Sequence, residues 1–312
     1  EGAIVEEVIA REVEVNPPPP FTTDAMLKEA TAAYGFPASY TMRLAQTLFE
    51  QGLITYHRTD ATTVSNVGLN VAREYISEKY GEEEFKARTW RREGAHECIR
   101  PTRPLDASKL QQLIIAGIYR LPVKLTKDHF KLYNLIFKRF IASQMREAAV
   151  LRQEAKARVA GLEVKIEGYS KILKKGYTKV LKLPLIPELK EGRYKVVNAR
   201  VLSVPSKRLF TQGEIVGEMK ARGIGRPSTY AKIVQTLFDR KYVFEKNGRV
   251  LNTWLGRKVY EFLSKNYWDH VSEEVTRELE AKMEEIERGE VDYQEVLKNL
   301  YNEIKSIAGR EK

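Results

Sequence analysis

Residues 1–16 alternate between apolar and charged positions, with Val5, Ile9, Val13 and Val15 on one side. That period of two predicts an exposed or edge strand. Pro17–Pro20 follow; four residues without a backbone N–H and with fixed φ make a stiff connector. From Phe21 to about Ala149 the apolar residues recur at helical spacing. Thr22 or Thr23 can cap a helix running to about Tyr34. A second helix, Pro37–Gln51, carries Leu44, Ala45, Leu48 and Phe49 on one face, with Gly52 where a C′ glycine belongs. A third, Ser65–Lys79, turns Val71, Ala72, Tyr75 and Ile76 inward. The basic loop Lys86–Arg103 precedes two more helices near Ser108–Arg120 and Thr126–Met145.

Residues 150–208 return to alternation, in Ala155/Ala157/Val159, Leu162/Val164/Ile166 and Val197/Ala199/Val201. These read as strands whose natural partner is the 1–16 strand, so the helical block is an insertion between strands of one sheet. From Phe210 the chain is helical again. Thr211 and Glu214 have capping-box spacing, Ser228–Arg240 buries Ile233, Val234 and Leu237, and Tyr242-Val243 with Val250-Leu251 suit a small hairpin, a winged-helix-like unit. Ser272–Arg288 and Asp292–Ile304 close the chain. The pattern therefore predicts a multidomain α+β protein: a β-rich part of residues 1–20 with 148–208, a helical part of 21–147, and a mostly helical part of 209–312.

The 312 residues suffice for two or three domains, and 43% hydrophobic content is ordinary for a globular protein. No apolar run approaches the ~20 residues that span a bilayer. The one cysteine, Cys98, excludes an internal disulfide and a cysteine zinc site, and fits a reducing interior. A net charge of +11 points to a polyanionic partner. Charged residues at 30% with 19 Asn plus Gln lean towards a thermophilic source.

The candidate chemistry lies in Gly52-Leu53-Ile54-Thr55-Tyr56-His57-Arg58-Thr59-Asp60. In an extended stretch residues i and i+2 share a side, so Tyr56 and Arg58 converge while His57 points away. A free phenol ionises near ~10 and is a poor nucleophile at neutral pH; a neighbouring cation favours the phenolate and can also fork onto a phosphate oxygen. Attack on a phosphodiester would exchange one phosphate ester for another and store the broken strand on the protein. Taken alone, a Tyr-x-Arg triplet is usually a strand with a half-buried ring and a solvated arginine.

Two further segments narrow the choice: Gly94-Ala95-His96-Glu97-Cys98-Ile99-Arg100-Pro101-Thr102 and Gly223-Ile224-Gly225-Arg226-Pro227-Ser228-Thr229-Tyr230-Ala231. In this order, and at these separations, the three segments resemble those of type IA DNA topoisomerases, from about Pro17 to the C-terminal end. The wording Tyr-His-Arg-Thr-Asp, where simpler members often have methionine after the tyrosine, is most similar to the reverse gyrase branch. The resemblance implies a β-rich arch carrying a helical, tyrosine-bearing domain. Tyr56 would be the nucleophile and Arg58 its partner. His96, Arg100, Arg226, Ser228 and Thr229 would contact DNA, and Asp60 would orient Arg58 or Thr59 or act as a turn residue. Without the resemblance His96 reads as a loop histidine, and Gly223–Ala231 as a capped helix start, which can also serve as an anion site. The family's usual hydroxyl residue after Asp60 is Ala61 here, the loss of a hydrogen bond of about 0.5–1.5 kcal/mol, with Thr62 as the candidate substitute.

The resemblance further implies partners absent from this sequence. There is no Asp-x-Asp pair with a spaced glutamate, no Walker motif and no paired cysteines. Mg²⁺ would be bound by a separate TOPRIM domain, and ATP and zinc by other parts of a longer polypeptide, with no metal held in this chain. The expected partner is DNA in a single-stranded region of duplex, with no membrane, and the expected state a cytoplasmic, nucleoid-associated monomer. Alone the chain would bind DNA weakly without relaxing plasmids. A simple relaxing topoisomerase and a non-catalytic DNA-binding module are the alternatives. His129 and His270, without ligand spacing, read as structural.

Overall fold

β1 (Ala3–Val15) and β2 (Ala148–Val159) pair antiparallel along their whole length, Ala3 against Val159 and Val15 against Ala148. This is seen in a computed structural model that describes residues 2–90, 96–198, 200, 202, 206 and 208–310. The helical block is thus inserted between neighbouring strands. β3 (Leu162–Lys174) follows β2 through Ala160 and Gly161, both at positive φ (50° and 82°), as a two-residue hairpin turn requires. The sheet order is β3-β2-β1-β4. β4 (Gly192–Tyr194) meets only Ala3–Val5, so β1 is interior over three residues and an edge over the rest. The third alternating run was expected at Val197, Ala199 and Val201. The strand forms earlier instead, and Val197 is 91% exposed in no strand. Ala199 and Val201 lie outside the described residues, as do Gly94 and Ala95.

By contact the chain divides into two compact units, Glu1–Ala30 with Tyr40–Arg208, and Thr31–Ser39 with Leu209–Lys312. In the first, α3 (Asn66–Tyr80) and α4 (Ala107–Ile115) pack on α5 (Lys127–Ser143), and most of α1 (Thr23–Tyr34) and α2 (Ala38–Glu50) belongs to the same unit. Leu132, Ile136, Phe140 and Ile141 of α5 are fully buried, each worth about 1.5–3 kcal/mol at most. Phe137 meets Tyr75 of α3 edge-on at 4.7 Å. Helix α4 stops at Ile115, short of the expected Arg120. Gly117, at φ 71°, donates its N–H to Ile114, and Ile118 donates to Leu113, which closes the helix. His129 is structural, its Nδ1 accepting the Thr126 N–H at the start of α5.

The second unit holds α6 (Gln212–Ala221), α7 (Tyr230–Asp239), the hairpin β5 (Val243–Lys246) and β6 (Arg249–Asn252), and four helices: α8 (Trp254–Asn266), α9 (Trp268–Val271), α10 (Glu273–Glu287) and α11 (Tyr293–Arg310). Thr211 and Glu214 form the expected capping box. Asn247 and Gly248 take the positive φ of the hairpin turn. The unit's core is Val216, Tyr230, Ala231, Val234 and Val250; Ile233 and Leu237 are only half-buried. Helix α8 was not among the expected elements, and none of its residues is buried. Among the described residues no helix is long and apolar enough to cross a membrane.

Candidate active site

Helix α2 delivers the tyrosine segment. Gly52 adopts φ 67°, its N–H donates to Phe49, and the Leu53 N–H donates to Leu48. This paired closure satisfies the last carbonyls of α2 and sends the chain out extended. Leu53 and Ile54 are buried, and Ile54 bridges Pro101 of the second motif. The Thr55 N–H donates to the Arg100 carbonyl (2.9 Å) and the Thr102 N–H to Leu53 (3.1 Å). The Thr55 hydroxyl donates to the Cys98 carbonyl (2.7 Å) and accepts the Arg100 N–H (3.0 Å). On its far side the segment is tied to Thr23, the first residue of α1. That hydroxyl donates to the His57 carbonyl (2.8 Å) and accepts the Thr59 N–H (2.9 Å). The first two motifs, 43 residues apart at Thr55 and Cys98, are thereby zipped together.

Pinned this way, the segment alternates as an extended chain must. Tyr56, Arg58 and Asp60 are exposed, while His57 and Thr59 are buried. The Tyr56 ring is 37% exposed and stands edge-on to three others: Phe49 at 5.3 Å, His57 at 5.6 Å and His96 at 5.6 Å. Tyr56 and Arg58 share the exposed side, yet among the described residues Arg58 makes no hydrogen bond, ion pair or ring contact with Tyr56 or Asp60. The arrangement presents an accessible phenol, a guanidinium on the same side and an exposed imidazole against the phenol's ring.

His57 is fully buried, and neither ring nitrogen has a hydrogen-bond partner among the described residues. Burial, then the neighbouring Arg58 charge, lowers its pKa to about 4 against a weaker opposing pull from Glu50. The ring is therefore neutral at pH 7.

Arg100, expected to contact DNA, is drawn inward. It is 4% exposed, and its donors are committed: Nε and one terminal nitrogen to the Glu97 carboxylate (2.9 and 2.8 Å), the other to the Pro101 carbonyl (2.9 Å). A guanidinium so engaged ties the second motif together. Burial pushes the Glu97 carboxyl up, but the hydrogen bonds from Arg100 and Ser65 outweigh it and hold it below its ordinary value. The pair fits only because Gly68 of α3 lacks a side chain; a Cβ there would lie 2.8 Å from Arg100 Nε. The i,i+3 spacing of Glu97 and Arg100 was the sequence signal for this pair. Thr62 donates to the Trp90 carbonyl (2.6 Å), so its hydroxyl is spent away from Asp60, and Ala61 is fully buried. Cys98 is buried and its thiol is pushed up to about 12 by desolvation.

The third motif lies in the second unit. Helix α7 begins at Tyr230, later than the expected Ser228. The Thr229 hydroxyl accepts the Arg226 N–H (2.8 Å), and the Arg226 carbonyl takes the N–H groups of Thr229 and Tyr230. Thr229 is thus a loop lock first, while Ser228 is exposed. Arg226 is half-buried and pairs with Glu284 and, at 3.6 Å, Glu280 of α10. Tyr230 is 4% exposed, which takes its ring out of reach of a base.

Among the described residues no group of three or more His, Cys, Asp or Glu side chains is placed to hold a metal ion.

The family model described as DNA topoisomerase matches residues 1–298. The chain belongs to the type IA DNA topoisomerases. It is 52% identical over 305 residues to a reverse gyrase of Pyrococcus furiosus, covering 96% of this chain and 25% of that protein. It is 50% identical over 302 residues to reverse gyrase 1 of Aquifex aeolicus, covering 96% and 26%. The solved full-length topoisomerase I from Thermotoga maritima is similar with a TM-score of 0.78 at 34% identity, over 98% of this chain and 52% of that one. The chain spans about a quarter of the length of the curated relatives it matches.

Proposed function

We propose that this chain supplies the DNA-cleaving tyrosine and part of the DNA-holding surface of a reverse gyrase. In this reading Tyr56 Oη attacks a backbone phosphorus. The bond from phosphorus to the 3′ oxygen breaks, the 3′ hydroxyl leaves with a proton, and the 5′ phosphate stays on Tyr56. Reversal after strand passage reseals the strand without external energy. Arg58 lies on the same exposed side to steady the phosphate charge, and His96 beside the tyrosine ring is an exposed imidazole for a phosphate contact. The observation that carries the reading is the exposed phenol of Tyr56 on a segment hydrogen-bonded on both sides. Net charge of +11 suits a DNA partner.

Three parts divide the work: the sheet of 1–20 and 148–208 as arch, 21–147 as tyrosine carrier, and 209–312 as a groove for the strand with Arg226, Ser228 and Thr229. Mg²⁺, ATP and zinc belong to other regions of a longer, monomeric polypeptide, which coupled to ATP use introduces positive supercoils in a thermophilic cell. The test is Tyr56→Phe in the full-length enzyme. Loss of the covalent protein–DNA adduct is expected, and its retention contradicts the assignment.

A second reading, a simple topoisomerase that relaxes negative supercoils, draws on the similarity to the Thermotoga topoisomerase I. A helicase-like module upstream in the gene favours reverse gyrase; its absence favours the simpler enzyme.

A further inference from the structure

Phe49, Tyr56, His57 and His96 form one cluster of rings, and His57 is its fully buried member. Its ring nitrogens bond nothing among the described residues. A buried imidazole whose polar atoms are unused offers its surroundings only a flat aromatic body. That body is rigidly mounted. The His57 carbonyl is held by the Thr23 hydroxyl, and Thr55 and Thr59 on either side are hydrogen-bonded to Cys98, Arg100 and Thr23. Edge-to-face packing against such a ring fixes a partner's orientation. A methionine here would fill the space, but its three rotatable bonds would not fix a neighbour.

We propose that His57 is a positioning residue for Tyr56: its ring, together with Phe49, holds the tyrosine ring in the orientation that presents the hydroxyl to the surface. His57 acts through Tyr56 and touches no DNA. The consequence for cleavage rests on the reading of Tyr56 as nucleophile; the consequence for ring order does not.

The experiment compares wild type, His57→Met and His57→Phe in the full-length polypeptide. Ring order is read from the ¹⁹F resonance of 3-fluorotyrosine placed at position 56. Single-turnover adduct formation and affinity are read on unlabelled protein with a single-stranded oligonucleotide. Wild type is expected to give one dominant resonance. In His57→Met the resonance splits or averages, adduct formation at saturating DNA slows by about two- to tenfold, and DNA affinity is unchanged. His57→Phe restores both the resonance and the rate. A methionine variant with wild-type ring order overturns the proposal, and so does a phenylalanine variant as disordered as the methionine one. Ring order that responds as described in a protein that forms no adduct supports the positioning role and sinks the nucleophile reading instead.

Discussion

The buried imidazole beside Tyr56 makes the stability of this protein depend on pH in a window that a single substitution removes. His57 is fully buried, and its folded pKa of about 4 lies well below the ordinary 6.5. Above pH 6.5 the ring is neutral in both folded and unfolded chains, and the protein has its full stability. As pH falls below 6.5 the unfolded chain takes up a proton that the folded chain does not. Unfolding is therefore favoured progressively, until near pH 4 the folded ring protonates too. About 2.5 pH units at 1.36 kcal/mol each give a loss of about 3 kcal/mol across that window. Other groups titrate in the same range, so the measurement is a difference. Urea unfolding of wild type and His57→Met at pH 4, 5, 6 and 7, with equal m values, isolates the His57 contribution. The variant should be about as stable as wild type or more so at pH 7, because methionine leaves no unpaired buried nitrogen. Its advantage should grow by about 2–3 kcal/mol on going to pH 4. Parallel stability curves would refute the argument, since they would mean that the folded ring accepts its proton as readily as the unfolded one.

Three further outcomes follow from the same geometry. Glu97→Gln leaves the buried Arg100 charge without its carboxylate and should destabilise the protein by about 3–5 kcal/mol in denaturant titration, whereas the double variant Glu97→Gln/Arg100→Met should recover most of that loss. Gly68→Ala places a Cβ against Arg100 and Val64, so despite better helix propensity it should cost about 1–3 kcal/mol, and a double-mutant cycle with Arg100→Ala should show strong coupling. Arg226→Ala in the full-length enzyme should weaken single-strand binding and make log K against log salt shallower by about 0.7 for each phosphate no longer neutralised; an unchanged slope would place Arg226 off the DNA.

Much of the architecture was legible because it depends on local periodicity. The β1 alternation, the helices from Thr23 to Ser143, the C′ glycine at Gly52 and the Asn-Gly hairpin turn are all set by residues close in sequence. The last strand is an exception: it forms at Gly192–Tyr194, against Ala3–Val5 of β1, rather than at the alternating run further on, and which edge a short strand joins depends on what lies alongside, which period does not encode.

The site divides the same way. Strand alternation alone placed Tyr56 and Arg58 on one side and His57 on the other. Only the tertiary structure brought Phe49 and His96 against the tyrosine ring, and only it spent Arg100 on Glu97 in the space left by Gly68. A sequence determines which side of a strand a residue faces because that follows from backbone geometry. Whether a cation meets a phosphate or a buried carboxylate is a competition between partners brought together from distant segments, and packing decides it.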